Sequence, residues 1–427
     1  MDVYFKNIRL VSPAQEIDEI VNIRIKDGEI IHCGATEPAI DKDTQVINSE
    51  KFICSPGLFD MHVHLRDPGQ EYKETIETGC NAAANGGFTG VVCMPNTNPT
   101  IDNIAVVELI KNKSKNLPVD VFISAAITAN REGKALSPMF ELNDAGVVMF
   151  TDDGTTVMNS NTMRRVFDYS ATKDLLIAQH CEDHNMTDGF AMDECEISDK
   201  LGLRGFPSVA EEIIISRDIM LSEYCGNRRY HAMHVSTRGG VRIIRNAKKR
   251  GLRVSCEVMP HHFSLSHDLL TNYDTNLKMD PPLRSVDDIA AMVEGLKDGT
   301  IDVIASDHAP HALHEKEVEF ENAPCGIIGL ETSLGLSLNF LVHTGALTIN
   351  QLIEKMSVNP RKILGLPQIM VKEGEIANLT VFALNEEWVV DKKKFKSKSG
   401  NTPFAGQRLI GKPKFIINHK QFISSEL

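Results

Sequence analysis

The chain has 427 residues, of which 45 are basic and 58 acidic, for a net charge of −13. That length passes the size at which one core keeps growing, so a large domain with a smaller companion is expected, and barrels are the architecture that holds such a length as one unit. The acidic balance is spread along the chain; it argues against a nucleic-acid duplex or a membrane surface as partner and leaves room for a small anion in one local cationic pocket.

Val3–Val11 and Ile20–Lys26 alternate or carry β-branched residues, Asp27-Gly28 is a hairpin turn and Glu29–Cys33 returns, so the first 55 residues read as β-rich. From Gly57 the texture changes to apolar strands alternating with helical stretches, the pattern of a parallel sheet covered by helices. The strands are expected at Leu58–His64, Thr89–Met94, Val119–Ile127, Val147–Thr151, Leu175–His180, Tyr230–Val235, Leu252–Glu257 and Ile301–Ser306. Helices are expected at Glu74–Asn85, with Gly86-Gly87 as its C-terminal stop, then near Asn103–Lys115, Pro138–Asn143, Thr162–Thr172, Ser208–Tyr224, Val241–Arg250 and Asp287–Leu296, with Leu330–His343 and Asn350–Ser357 closing the series. Eight βα units over about 300 residues predict a TIM-type (β/α)8 barrel. The competing doubly wound sheet lacks a GxGxxG motif after an early strand.

Beyond Gly365 β texture returns at Asn378–Ala383, Lys414–Ile417 and Gln421–Ile423. Neither flank has enough apolar surface to stand alone, so residues 1–55 and 366–427 are expected to pair into one small β-sandwich domain beside a catalytic barrel over 56–365. No apolar run reaches membrane-spanning length, and no charged-then-apolar leader is present. The nine cysteines include no CxxC pair and several sit inside apolar strands, which reads as free thiols in a reducing, cytoplasmic setting.

Gly57–Gly69, GLFDMHVHLRDPG, concentrates the chemistry. Asp60, His62, His64 and Arg66 share one parity, and alternate side chains of a strand face the same space. Two imidazoles so placed suit one divalent ion. In a barrel, further ligands should come from C-terminal strand ends. Strand four runs into Phe150-Thr151-Asp152-Asp153-Gly154, strand five ends at His180, strand six carries His234 near its end, and strand eight runs into Ser306-Asp307-His308. Such a set has the capacity for one or two metal ions. His62, His64 and Asp307 would hold one and His180 with His234 the other, bridged by Asp152 or Asp153, between which spacing does not choose. Paired ions about 3.5–4 Å apart can share a hydroxide and polarise a carbonyl, water's pKa falling from about 15.7 towards 7. Asp307 would exchange the proton. His231 and His234 differ in parity, so only His234 is expected inside, with His231 packed under a helix. His261-His262 are expected as ordinary loop residues, and His32, His267, His343 and His419 as surface or structural ones.

These residues, with MPNT (Met94–Thr97), FTDDG, AQHCE, HVST (His234–Thr237), ASDHAPHALHEK (Ala305–Lys316) and NTPFAG (Asn401–Gly406), resemble the metal-dependent cyclic amidohydrolases, and among them the dihydroorotases of the bacterial type I class. The resemblance covers nearly the whole chain. It implies zinc held by His62, His64, Asp153, His180, His234 and Asp307, with Asp307 also the catalytic acid/base. Asp153 then takes the place that a carboxylated lysine fills in other amidohydrolases. It further implies substrate contacts from His64, Arg66, Asn96, Asp280, His311, Cys325 and Gly326, and reversible closure of N-carbamoyl-L-aspartate to L-dihydroorotate in pyrimidine synthesis. A homodimer, able to associate with aspartate transcarbamoylase, is the implied assembly.

Both forms of that substrate carry a carboxylate, and Arg66 offers a planar fork for it. Relatives that open neutral rings (hydantoinases, dihydropyrimidinases, allantoinases) need no such arginine. A non-catalytic scaffold would be expected to lose ligands, and all six are present. Two positions depart from the family pattern. Asp280 in KMDPP stands where Asn is usual, and an ionised Asp only accepts hydrogen bonds. Cys325 replaces a more usual aromatic. The charged segment His308–Ile328 reads as a mobile lid.

Overall fold

Eight short parallel strands, each followed by a helix that covers it, form the centre of the computed structural model, which describes all 427 residues. In sheet order they are Leu58–Val63, Phe88–Cys93, Asp120–Ala125, Val147–Phe150, Ile177–Gln179, Tyr230–Ala232, Val254–Val258 and Val303–Ile304. The ladder closes where Val63 bridges His308 and the His64 N–H donates to the His308 carbonyl at 2.9 Å. The expected barrel is the observed one. The eighth strand is only two residues long, and Asp307, three residues past its end, adopts a left-handed φ of 45°.

The covering helices start where short polar side chains satisfy the first free N–H groups. Thr75 caps Ile76–Asn85, Asn103 caps Ile104–Ser114, Asn159 caps Ser160–Ser170, Thr237 caps Arg238–Lys249 and Ser285 caps Val286–Asp298. The first of these ends at Gly86, and Gly87 has a φ of 93°. A large apolar core lies between strands and helices, while an inner cluster including Phe59, Met61, Val92, Met149, Met233 and Met259 fills the barrel below the mouth.

Both termini contribute to one eight-stranded sheet. Its main order runs Gln421–Ser424, Arg408–Asn418, Asn378–Val389, Phe52–Pro56, Asp2–Ser12, Ile17–Lys26, Glu29–Gly34, with Gln45–Asn48 also pairing with Asp2–Ser12. Phe5 and Phe415 lie three ladder steps apart, about 14 Å along a flat sheet, yet their ring centroids are 6.2 Å apart. The sheet therefore bends back on itself around a core that includes Phe5, Ile8, Ile23, Leu379, Val381 and Ile417. From this sheet the chain returns to the barrel: Trp388, Phe404 and Leu409 pack with Leu265, Met279 and Ile327 near the mouth. No helix is long and apolar enough to cross a membrane.

Candidate active site

The first barrel strand pairs irregularly with the second, its register shifting between Leu58 and Phe59 and again between Asp60 and Val63. Simple alternation therefore fails along it: Phe59 and Met61 join the inner apolar cluster, while His62 and His64 face the same space with ring centroids 5.4 Å apart. Asp60 does not join them. Its carboxylate accepts the His62 N–H at 3.1 Å and the Ser306 N–H at 3.1–3.2 Å, tying the first strand to the turn that carries Asp307. Arg66 lies past the strand end, at a left-handed φ of 59°, so the turn rather than strand parity aims it.

Asp153 occupies the middle of the ring. One carboxylate oxygen lies 3.6 Å from His62 Nε2 and 3.5 Å from His64 Nε2; the other lies 3.9 Å from His180 Nδ1 and 3.6 Å from His234 Nε2. The donor atoms thus form two groups, His62–His64–Asp153 and Asp153–His180–His234, that share the carboxylate. Asp152, its neighbour, turns away and accepts the Thr128 N–H at 3.0 Å and the Thr128 hydroxyl. Gly154 follows at φ 77°, a backbone state that a side chain would strain, and a Cβ there would stand 3.3 Å from Asn96 Nδ2. Asp307 completes the ring at 2.9 Å from His64 Nε2 and 3.5 Å from His62 Nε2.

Spacings of 3.5–3.6 Å are too long for hydrogen bonds, and His62 Nε2 is buried without any partner. Two ligands about 2.0–2.1 Å from one tetrahedral ion stand about 3.4 Å apart, so an ion fits where protein contacts do not. Burial opposes the charge on Asp153 and Asp307, yet the surrounding imidazoles, His62 foremost, hold both carboxyls below the usual range. Both are anionic acceptors.

A residue that sequence reasoning missed orients this ring. Glu257, at the end of the seventh strand, meets His62 Nδ1 at 2.6 Å and so directs Nε2 to the centre. Burial disfavours its charge, but His62 and His231 beside it hold the carboxyl at about 2. Its signal was available: a lone carboxylate in the apolar run Val254–Pro260. His231 corrects the parity argument. It lies not under a helix but 3.4 Å from Glu257, with Nδ1 on Ser255 at 2.8 Å; a φ of 32° at His234 turns the chain so that both histidines point inward. His180 is oriented in the same way by Glu182, 2.9 Å from its Nε2. His261 and His262 are buried in the short helix Pro260–Ser264 rather than lying in a loop, and burial lowers the His261 imidazole to about 4. We predict that Glu257→Gln weakens metal retention about 10- to 100-fold, the usual cost of losing such an outer partner. Competition against a chelator measures it, and unchanged retention would refute the role.

A cavity of about 180 Å³ opens above the ring, lined by His64, Arg66, Asn96, Asp153, His180, His234, Asp280, Asp307, His311, Cys325 and Gly326 among others. Only His62 of the expected set lies beneath it, fully buried. Arg66 Nε donates to the Pro310 carbonyl at 3.2 Å, which fixes the guanidinium plane. Asn96 Oδ1 meets His64 Nδ1 at 2.8 Å, so it also orients a ring member. His311 Nε2 lies 2.8 Å from the Cys325 carbonyl and Nδ1 3.4 Å from Lys73 Nζ, so its one N–H is spent on the loop. Burial and the nearby cations Arg66, Lys73 and Lys316 push it down to about 2, which keeps it neutral. Burial raises Asp280 to about 7; its Oδ2 lies 3.6 Å from His180 and its Oδ1 has no partner.

The expected lid is stitched down at both ends by one residue of NTPFAG. Asn401 accepts the His311 N–H at 3.0 Å and donates to the carbonyls of Ala309 and Gly326 at 2.9 and 3.0 Å. Lys316 Nζ, from the short helix Leu313–Lys316, donates to the Pro324 carbonyl at 2.8 Å.

A family model described as dihydro-orotase-like matches residues 51–240. The chain is 47% identical over 413 residues to a dihydroorotase of Syntrophus aciditrophicus (strain SB), with 96% of each chain covered. It is 48% identical over 407 residues to one of Acetivibrio thermocellus, with 95% of each covered. Among solved structures, the L-hydantoinase (dihydropyrimidinase) from Arthrobacter aurescens matches with a TM-score of 0.87 at 26% identity, over all of this chain and 96% of that one. A dihydropyrimidinase from Brevibacillus agri NCHU1002 matches with a TM-score of 0.86 at 20% identity, over all of this chain and 95% of that one, a likeness of fold alone.

Proposed function

The chain belongs to the dihydroorotase family, and on that premise we propose that it interconverts N-carbamoyl-L-aspartate and L-dihydroorotate plus water, the ring-closing step of pyrimidine biosynthesis. The observation that carries the reading is Arg66, a buried guanidinium with its plane fixed, lining the same cavity as the carboxylate and imidazole donors. A neutral ring gives such a group no partner, and an unpaired buried charge is costly. A substrate carboxylate pairs with it through parallel N–H···O bonds.

His62, His64, Asp153, His180, His234 and Asp307 would hold one or two divalent ions. A nitrogen and oxygen donor set without thiolate suits zinc. Such ions supply a nucleophile from water at neutral pH and draw electrons from a carbonyl. The remaining work falls to the chain. Arg66 and Asn96 seat the substrate carboxylate, and the Cys325-Gly326 backbone closes one wall. In ring opening Asp307 takes the proton of the attacking water and delivers it to the departing ring nitrogen as the amide C–N bond breaks. In ring closure the same proton moves from the ureido nitrogen to the oxygen that leaves as water. Glu257 and Asn96 keep His62 and His64 aimed throughout. We further infer a cytoplasmic enzyme with a barrel domain over 56–365 and a β domain from 1–55 and 366–427, a division supported by the pairing of both terminal segments in one sheet.

The test is a substrate panel on zinc-loaded protein: carbamoyl-aspartate, dihydroorotate, dihydrouracil, hydantoin and allantoin. Dihydroorotate should turn over fastest among the rings, and Arg66→Ala should raise its KM about thirtyfold or more, the scale of a lost buried ionic contact. Faster turnover of any neutral ring would sink the reading.

A further inference from the structure

Lys73 lies in the turn between the first barrel strand and the helix Ile76–Asn85, and the chemistry derived so far gives it no role. It is 8% exposed, deep for a lysine, so its ammonium must find partners inside the chain. Two are in reach. Nζ stands 3.0 Å from Glu315 Oε1 and 3.4 Å from His311 Nδ1. Glu315 has other work as well: it accepts the Tyr72 hydroxyl at 3.1 Å and the Ala312 N–H at 2.9 Å, ahead of the helix Leu313–Lys316.

The contact with His311 decides where that ring carries its hydrogen. Arg66, Lys73 and Lys316 face the ring, with the Glu315 carboxylate on its Nδ1 side, and burial with the three cations keeps it neutral. A neutral imidazole has one N–H, and its other nitrogen accepts. An ammonium only donates, so Nδ1 beside Lys73 is the acceptor and the N–H sits on Nε2. Nε2 then donates to the Cys325 carbonyl at 2.8 Å. The same peptide is held from its other side, where the Gly326 N–H donates to the Lys278 carbonyl at 3.0 Å. The fit is close: a Cβ on Gly326 would stand 2.8 Å from His311 Cδ2 and 2.9 Å from Nε2.

The opposite tautomer would undo this arrangement. An N–H on Nδ1 has an acceptor at hand in Glu315 Oε2, 3.6 Å away. Nε2 and the Cys325 carbonyl would then meet as two acceptors, and Nε2 would draw on Arg66 Nη2, 3.5 Å away. That guanidinium nitrogen would be lost to a substrate carboxylate.

We propose that Lys73 is a positioning residue for the substrate wall. By donating to His311 Nδ1 it keeps the ring's hydrogen on Nε2, which grips the Cys325-Gly326 peptide and leaves Arg66 Nη2 to the substrate. This role rests on the carboxylate-bearing substrate proposed above.

Two measurements on the zinc-loaded protein test it. Neutron diffraction from wild-type crystals exchanged into heavy water should place deuterium on His311 Nε2 and none on Nδ1. In steady-state assays with dihydroorotate, Lys73→Met should raise KM about tenfold, the scale of one lost hydrogen bond, with kcat within about threefold of wild type. Lys73→Arg keeps a charged donor and should bring KM back to within about threefold. Deuterium on Nδ1, a folded Lys73→Met with wild-type KM, or a loss confined to kcat would overturn the proposal. So would a folded Lys73→Arg as impaired as Lys73→Met. Circular dichroism reports the fold of both variants, and the deuterium position is decisive whether or not they fold. A wild type that leaves dihydroorotate unturned would instead sink the substrate reading, with the deuterium position still deciding the role of Lys73.

Discussion

Asp307→Asn should abolish measurable turnover while the protein stays folded and keeps its metal. The substitution is isosteric, and the amide oxygen can still accept from His64 Nε2, which stands 2.9 Å from the carboxylate in the structure. What disappears is a group able to take up and return a proton. Loss of a general acid/base costs about 10²- to 10⁴-fold, and the upper end is expected because the other carboxylate beside His62 and His64, that of Asp153, is shared between the two donor groups. The loss should be the same factor in both directions, since a catalyst cannot shift the equilibrium between open and closed forms. Measuring kcat/KM from each side, with metal content by elemental analysis, checks it. Turnover above about a tenth of wild type with metal retained would assign the proton to another group.

The second large effect separates two adjacent aspartates. Asp153→Asn should lose bound metal and with it turnover by about 10³-fold or more, because one carboxylate serves both donor groups and an amide offers neither its charge nor its second oxygen. Asp152→Asn should keep its metal and melt at a lower temperature. Its carboxylate accepts both the N–H and the hydroxyl of Thr128, and an amide nitrogen turned toward that N–H leaves a buried donor unpaired, at about 1–3 kcal/mol. Metal content and a thermal melt on the two variants decide it. If Asp152→Asn emptied the site and Asp153→Asn did not, the central carboxylate would have been misassigned.

The two aspartates also show where reading a sequence stops. Both follow the same strand and both are acidic, so strand-end position admits either one. Choosing between them from residues alone needs Thr128, whose N–H claims Asp152 from a different loop. His231 and His234 fail differently. Parity assumes regular strands, and the positive φ at His234, like the register shifts around His62, changes which side a residue faces without leaving a mark in composition. Glu257 was legible as an odd carboxylate in an apolar strand, but its partner lies 195 residues away.

The sequence by itself determined the barrel, the strand ends at which histidines and aspartates gather, and the arginine that follows the first of them. Those features are local: alternation, turn residues and caps act over a few positions, and a chain must satisfy them before it can pack. Only the tertiary structure decided that Asp153 is central, that Glu257 and Asn96 aim the first two imidazoles, and that His311 spends its N–H on Cys325. Each of these depends on atoms brought within a few ångströms by the closure of the barrel, a distance that sequence separation does not encode.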